Sequence, residues 1–292
     1  MTQASLDGMP RRLFVASPSK LTTWLDCPRR YALTYLERRP SAGTWAHNSV
    51  GASIHNALRD WWSLDRPRRT PQAAAALVRR GWIDQGFRDA EQSARWRELA
   101  AESTDRYAAT LDPDDEPAGT ERTVGVTTAV LALNGRVDRI DRRGDALVVV
   151  DYKTGRRVPT EDDVRGSLAL AAYAAAVRRT LKRPCTRVEL HHVPSGVRVG
   201  WEHTDASLAR HLGRMDDIAE EAAAAERAWR EDPDRDITAF EARTGVLCGW
   251  CDLRDHCPQG RAAAPAKAPW AALVEPGTAG DDAPPDPEDV LP

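Results

Sequence analysis

A chain of 292 residues, 41% hydrophobic and 29% charged, can bury a sizeable core within one large domain. No stretch approaches the roughly 20 uncharged apolar residues of a membrane helix, and the first residues lack the apolar core of a secretory signal, so a cytoplasmic protein without membrane contact is expected. The formal charge of -3 is uneven: residues 261–292 contribute -4 and residues 1–260 the remaining +1, a balance that permits nucleic-acid binding without arguing for it.

Residues 1–16 read as a flexible leader. Ser17 or Ser19 can cap a helix starting near Lys20, with Leu21, Trp24 and Leu25, then Tyr31, Leu33, Tyr35 and Leu36, as its apolar faces. Cys27-Pro28 interrupts this stretch, because proline fits best at a helix start. Further helices are expected over 47–62, 71–88 and 92–111, followed by an acidic, proline-containing loop at 112–117. Valine and threonine over 123–133 predict a strand, Asn134-Gly135 a hairpin turn and 136–142 the returning strand. Arg143-Gly144-Asp145 reads as a second turn and 146–153 as a buried strand. Thr160 can cap a helix over 161–181, strands at 186–193 and 197–203 flank Pro194-Ser195-Gly196, and a long helix covers 205–230. Residues 261–292, rich in Ala, Pro, Gly and Asp, bury too little apolar surface to order themselves and read as a disordered acidic tail; Trp270 and Leu273 leave a partner-binding segment as the alternative. The order of elements predicts an α/β fold with a central mixed sheet flanked by helices.

The chemistry concentrates in two strands. Residues two apart on a strand face the same way, so Asp151 and Lys153 share a side while Tyr152 takes the other. Asp138, on the preceding strand, can come beside Asp151 by antiparallel pairing. Two such carboxylates repel unless a proton or cation lies between them, and Mg²⁺ or Mn²⁺ meets that need with oxygen ligands. The Lys153 ammonium can then orient a water and offset phosphate charge, as metal-assisted phosphodiester hydrolysis requires. The bland alternative is a surface strand bearing an Asp–Lys pair. Against it, Asp151 ends the apolar run 146–150, and Thr154-Gly155 allows close backbone approach at once.

Five cysteines in a reducing compartment point to metal ligation with one left over. Cys185 is the spare, a partly buried inert thiol. Cys248, Cys251 and Cys257 form C-x2-C-x5-C, and Cys27 completes a site if the fold joins the two ends. Thiolates suit Zn²⁺ and iron–sulfur clusters alike, and spacing alone favours zinc. His256 is an alternative ligand or a solvated side chain.

Gly135-Arg136-Val137-Asp138-Arg139-Ile140-Asp141, followed by Val149-Val150-Asp151-Tyr152-Lys153-Thr154-Gly155, resembles the core of the PD-(D/E)XK nucleases, in particular their RecB-type branch. The resemblance implies a restriction-endonuclease-like sheet in a single domain over 17–260: a helical part at 17–111, a catalytic core at 120–230 and a cysteine cluster at 245–260. Gly51-Ala52-Ser53-Ile54-His55 resembles the branch's upstream histidine motif, which implies that His55 joins Asp138, Asp151 and the Tyr152 carbonyl in holding metal; a helix histidine packed on the sheet is the alternative. Glu121 resembles a family glutamate near the site, and an exposed residue at a strand start is its alternative. Lys153 would position the attacking water, while Arg136, Arg139, Arg156 and Arg157 are candidates for phosphate contacts, which position a nucleic acid without reading its sequence.

The segment Leu21–Pro28 and the three later cysteines resemble iron–sulfur nucleases of the same superfamily, among them AddB-type domains and small CRISPR-associated nucleases. That implies a 4Fe–4S cluster on Cys27, Cys248, Cys251 and Cys257, closing a long chain loop as a structural clamp. One motif departs: where the family carries Gln-x-x-x-Tyr, Tyr173 fits the tyrosine but Ala169 stands at the glutamine, so Ser167 or Tyr173 substitutes in part or activity is weakened. The resemblance implies a Mg²⁺- or Mn²⁺-dependent deoxyribonuclease, an exonuclease acting on DNA ends or single strands in repair or recombination. No G-x-x-x-x-G-K-[ST] loop is present, so a helicase motor would be a partner. A non-catalytic iron–sulfur nucleic-acid-binding protein and a redox sensor are the competing readings.

Overall fold

The structure is a computed structural model and describes residues 13–273. Six strands among these residues form one mixed sheet: β1 (Phe14–Ala16), β2 (Gly119–Thr127), β3 (Leu131–Arg143), β4 (Ala146–Lys153), β5 (Cys185–His192) and β6 (Arg198–Glu202). β3 is its hub. It pairs antiparallel with β2 and β4 and, at Leu131–Leu133, parallel with β1. β4 and β5 run parallel, joined by a helical crossover, and β6 closes the order antiparallel to β5.

Both sheet faces are covered, as a crossover architecture requires. Val148, Val150 and Tyr152 of β4 pack against α3 (Ala46–Trp62), α4 (Pro71–Arg80) and α5 (Ala90–Ala108). Leu147 and Val149, on the opposite side of the pleat, pack against α7 (Leu168–Leu181) and α8 (Asp205–Glu231). The helices start where side chains can replace the missing backbone acceptors. Ser17 caps α1 (Pro18–Asp26), and Thr160 forms a reciprocal capping box with Asp163 at α6 (Glu161–Gly166). Cys27 ends α1 in an extended conformation and caps the short α2 (Pro28–Tyr31), whose first residue is proline.

The structure corrects several boundaries. Phe14–Ala16, expected in the leader, form β1, where main-chain pairing with β3 orders them despite their lack of periodicity. β3 runs straight through Asn134-Gly135; the turn before it lies at Thr128, whose hydroxyl accepts from the Val130 and Leu131 amides at 3.2 and 2.9 Å. Gly135 serves packing instead: a Cβ there would fall 2.4 Å from Cε1 of Tyr173. The helix expected over 71–88 stops at Arg80, and the one over 161–181 breaks at Ser167, which caps α7 by accepting from Leu170. Residues 261–273 are not a disordered tail. They continue α9 (Pro258–Ala263) and then bond along the chain, Lys267 N–H to Gly249 at 2.9 Å and Ala46 N–H to Pro269 at 3.0 Å. The rest of the expected leader and tail, residues 1–12 and 274–292, lies outside the described residues. No helix among those described is long and apolar enough to cross a membrane.

Candidate active site

Register sets three carboxylates in one row. β2 and β3 pair Thr120 with Arg139 and Arg122 with Val137, so Glu121 stands opposite Asp138. β3 and β4 pair Arg139 with Val150, and one further step along that register sets Asp138 opposite Asp151. Opposed residues of neighbouring strands share a face, so Glu121, Asp138 and Asp151 line up across β2, β3 and β4. Glu121 takes a left-handed backbone conformation (φ 47°), strained for a side chain without local turn chemistry and of the kind that gathers at functional sites.

His55 reaches the row from α3, its Nδ1 3.4 Å from Asp138 Oδ2. The helix comes close because Gly51, one turn earlier, leaves no room for more: a Cβ there would lie 3.0 Å from Thr154 Oγ1, directly after Lys153. One ligand atom each of His55, Glu121 and Asp138 lies within 4.8 Å of the others. Asp138 Oδ2 also accepts the Tyr152 amide at 2.8 Å, which ties β3 to β4 between Asp151 and Lys153. Lys153 Nζ sits 3.3 Å from Asp151 Oδ2, yet that oxygen is buried and takes no well-aligned hydrogen bond.

The row is short of positive charge. Burial raises the Asp151 carboxyl above the usual carboxylate range; Lys153 opposes the shift and the charge of Asp138 adds to it. Burial and then Asp138 raise Glu121 in the same direction. At His55 burial works to lower the imidazole, but the hydrogen bond and charge of Asp138, with Asp151 and Glu121 behind it, prevail and hold it above its ordinary value. All three groups therefore retain protons more readily than they would in water. A carboxylate row with a histidine nitrogen beside it, its carboxyl groups crowded enough to hold protons, fits a hard divalent metal.

A family model for the PD-(D/E)XK nuclease superfamily matches residues 15–258. The chain belongs to this superfamily. Membership points to metal-dependent nuclease activity on a nucleic-acid substrate, and the mixed sheet between helical layers agrees with a restriction-endonuclease-like fold. No curated protein matches the chain. One solved structure, "Crystal structure of SSO0001", aligns over 87% of this chain and 90% of that one, at 14% identity and a TM-score of 0.38, too low to carry an argument.

Within that superfamily core, the residues singled out from the sequence do not all serve as expected. Arg139 is the main correction. It is 3% exposed, lies 2.8 Å by Nε from Asp141 and donates from Nη1 to the Tyr152 hydroxyl at 3.2 Å, so it cannot reach a phosphate. Both faces of β3 are covered, and the strand pattern alone did not reveal that this arginine points into the α3–α5 layer. Arg136 stays at the surface beside the row, its Nε 2.7 Å from Glu121. Arg156 and Arg157 are exposed in the loop after Lys153, where Arg157 pairs with Asp163 at 2.8 Å. Tyr173 lies over Gly135 and is pushed up to about 12 by burial first and then by Asp151 and Asp138, which sets its ring next to the carboxylates. Ala169 is one helical turn earlier, while the Ser167 hydroxyl is engaged as the cap of α7.

Sequence reasoning missed His192. It pairs with Lys153 across β4 and β5, and its Nε2 donates to the Gly155 carbonyl at 2.7 Å, which pins the loop behind the lysine. No spacing or motif signals that contact.

The structure sets Cys257 near Cys248 and Cys27 near Cys251. A Cβ on Gly260 would lie 3.4 Å from Cys257 Sγ and 3.8 Å from Cys248 Cβ, and after burial the charge of Cys27 is among the effects that raise the Cys251 thiol. Cys27 and Cys257 repeat one device. Each precedes a proline at a helix start and accepts a backbone N–H through sulfur, from Arg30 at 3.5 Å and Gly260 at 3.3 Å. Around them Arg29 donates to the carbonyls of Phe240 and Thr238 at 2.9 and 3.2 Å, and Arg30 pairs with Asp252 at 3.1 Å. His256 is engaged elsewhere, its Nε2 donating to Pro40 at 3.1 Å. All five cysteines are free thiols, and Cys185 is fully buried and pushed up to about 12 by that burial, as an inert spare should be. Among the described residues the group of three ligand atoms that closes to within 4.8 Å is that of His55, Glu121 and Asp138.

Proposed function

We propose that the chain is a Mg²⁺- or Mn²⁺-dependent DNA nuclease, an exonuclease of the RecB type acting on DNA ends or single strands during repair or recombination, in the cytoplasm and alongside a separate helicase. The observation that carries the reading is the row Glu121–Asp138–Asp151 with His55, in which Glu121, Asp151 and the imidazole hold protons above their ordinary range. Asp138, Asp151, His55 and the Tyr152 carbonyl would hold the metal, with Glu121 as a further ligand. Bound there, a divalent ion lowers the pKa of a coordinated water and stabilises charge on the scissile phosphate. The chain's own part is positional. Asp151 keeps Lys153 at the edge of the row, where the ammonium can orient the water and meet charge developing on the phosphate oxygens. His192 keeps the following loop still. Tyr173 stands over the same site, and Arg136, Arg156 and Arg157 border it as candidates for phosphate contacts.

The cysteines would carry a 4Fe–4S cluster. Tetrahedral zinc, with Zn–S bonds of about 2.3 Å, draws its sulfurs to about 3.8 Å from one another. A 4Fe–4S cluster instead spreads its thiolates around a cube, and the likeness of Leu21–Pro28 and the three later cysteines to iron–sulfur nucleases favours the cluster over zinc. Two N–H···S bonds supply the outer contacts that such centres use.

Anaerobic purification with iron and sulfide analysis, followed by cleavage of end-labelled single- and double-stranded DNA with Mg²⁺ or Mn²⁺, tests both halves. Stepwise shortening that disappears in Lys153→Ala is expected. DNA binding without cleavage under either metal would instead establish the non-catalytic alternative, for which Ala169 is the supporting observation.

A further inference from the structure

The face of β3 and β4 opposite the carboxylates holds a second polar assembly. Arg139 is buried among Trp62, Tyr152 and Asp141. Its Nη1 donates to the Tyr152 hydroxyl at 3.2 Å, its Nη2 donates to Asp141 at 2.9 Å, and its guanidinium carbon lies 5.2 Å from the Trp62 ring and 5.7 Å from the Tyr152 ring. Trp62 Nε1 donates to the same tyrosine hydroxyl at 3.3 Å. The Tyr152 ring in turn stands edge-on to His55, with centroids 5.7 Å apart and planes at 87°, and edge-on to Tyr107 at 5.8 Å.

Tyr152 thus touches the site on every side that matters. Its amide binds Asp138, its ring abuts His55, and it is the link between Asp151 and Lys153. Arg139 occupies the matching place on β3, next to Asp138. The pair bolts the two strands together behind the row, at the level where the ligands must keep their spacing. Stability alone does not account for this arrangement. Taking an arginine and an aspartate out of water consumes most of what their attraction returns, and well-packed apolar residues would serve a core equally well. A fork that fixes one tyrosine hydroxyl does something an apolar core cannot: it selects a single position for the strand segment that presents the ligands.

Resting on the metal-nuclease reading above, we infer that Arg139 and Tyr152 form a buried brace that sets metal affinity, with Arg139 as a positioning residue. The brace acts through the Tyr152 side chain on Asp138 and His55, and neither Arg139 nor the Tyr152 ring and hydroxyl touches metal or nucleic acid.

The test is Mn²⁺ binding to the full chain without nucleic acid, by titration calorimetry, with metal-free melting followed in parallel. Tyr152→Phe keeps the ring and removes only the hydroxyl, and is expected to weaken Mn²⁺ binding about tenfold or more. Arg139→Lys keeps the charge but loses the fork, and should weaken it similarly. Because both act through one contact, the double variant should be no weaker than the worse single one. In Arg139→Met/Asp141→Leu the buried ions give way to apolar side chains; melting is expected to hold while Mn²⁺ binding still weakens. Wild-type affinity within twofold in Tyr152→Phe and Arg139→Lys overturns the brace. Should the arginine variants fail to fold, Tyr152→Phe decides alone. A wild-type chain that binds no Mn²⁺ sinks the metal reading itself, whereas wild-type binding with unaffected variants sinks only the brace.

Discussion

The carboxylate row and the cysteine clamp lie in one domain but are built on opposite terms. In the row, like charges face each other, Asp151 Oδ2 is buried without an aligned hydrogen bond, and Glu121 sits in a left-handed conformation. Around the clamp, arginines from the first helices bind carbonyls and a carboxylate more than two hundred residues away, and two sulfurs accept backbone N–H groups. The row is an arrangement that folding tolerates and a cation would relieve. The clamp is an arrangement that folding uses. Regions of the first kind carry chemistry, because their interactions are left incomplete until a ligand arrives.

Substitutions should separate the two regions in opposite directions. Asp151→Asn is expected to reduce cleavage about 10²–10³-fold, a loss typical of removing a preorganised electrostatic contact, yet to raise the melting temperature of the metal-free chain. The sign follows from linkage. Asp151, Glu121 and His55 all hold protons more tightly in the fold than in the unfolded chain, so the native state binds more protons and stability falls as pH rises through their raised range. Metal-free wild-type protein should therefore melt at a lower temperature as pH climbs from mildly acidic towards neutral, Asp151→Asn should flatten that slope, and Mg²⁺ or Mn²⁺ should restore the melting temperature. A pH-independent melting curve in metal-free buffer would remove the premise.

Clamp substitutions should do the reverse. Cys257→Ser or Cys27→Ala is expected to abolish iron binding and to destabilise by about 2–5 kcal/mol, on the scale of losing a cross-link that closes a long loop. Whatever fraction remains folded should keep its metal dependence and its cleavage pattern. The measurements are iron content, denaturant unfolding and activity per folded molecule.

The same contrast explains what could be read from the chain. That Asp151 and Lys153 share a side was legible because the two-residue period of a strand fixes which side chains share a face, and the nearness of Asp138 to them because neighbouring strands pair. Helix starts at Ser17 and Thr160 were legible for the same local reason. Asn134-Gly135 misled because its turn preference is also local, whereas Gly135 answers a distant demand, the Tyr173 ring lying against it from α7. Arg139 misled because a strand covered on both faces gives no solvent side on which to place a charge. The three-residue β1 has no period to detect, and the composition of 261–273 concealed hydrogen bonds to Gly249 and the start of α3.

Gly135→Ala tests that account with a smaller effect. Its methyl group must displace the Tyr173 ring or bend β3, so a loss of about 1–3 kcal/mol is expected, as for overpacking in a filled core. In a Tyr173→Ala background the same change should do little. An equal loss in both backgrounds would mean that Gly135 is needed for its backbone and not for the ring.

Ala169 offers the mildest change. It lies one turn before Tyr173 on α7, so a glutamine there shares the face that overlooks the carboxylates. Alanine to glutamine is nearly neutral for a helix, at a few tenths of a kcal/mol, so a change in rate would not reflect a change in folding. A single added hydrogen bond to the attacking water or to the row is worth about 1 kcal/mol, so Ala169→Gln should raise the single-turnover rate about fivefold with Mg²⁺ and leave melting unchanged. Ala169→Leu fills similar space without a polar group and should not accelerate the reaction. If glutamine and leucine behave alike, the face of α7 contributes bulk rather than hydrogen bonding, and orientation of the water rests on Lys153 and the carboxylates alone.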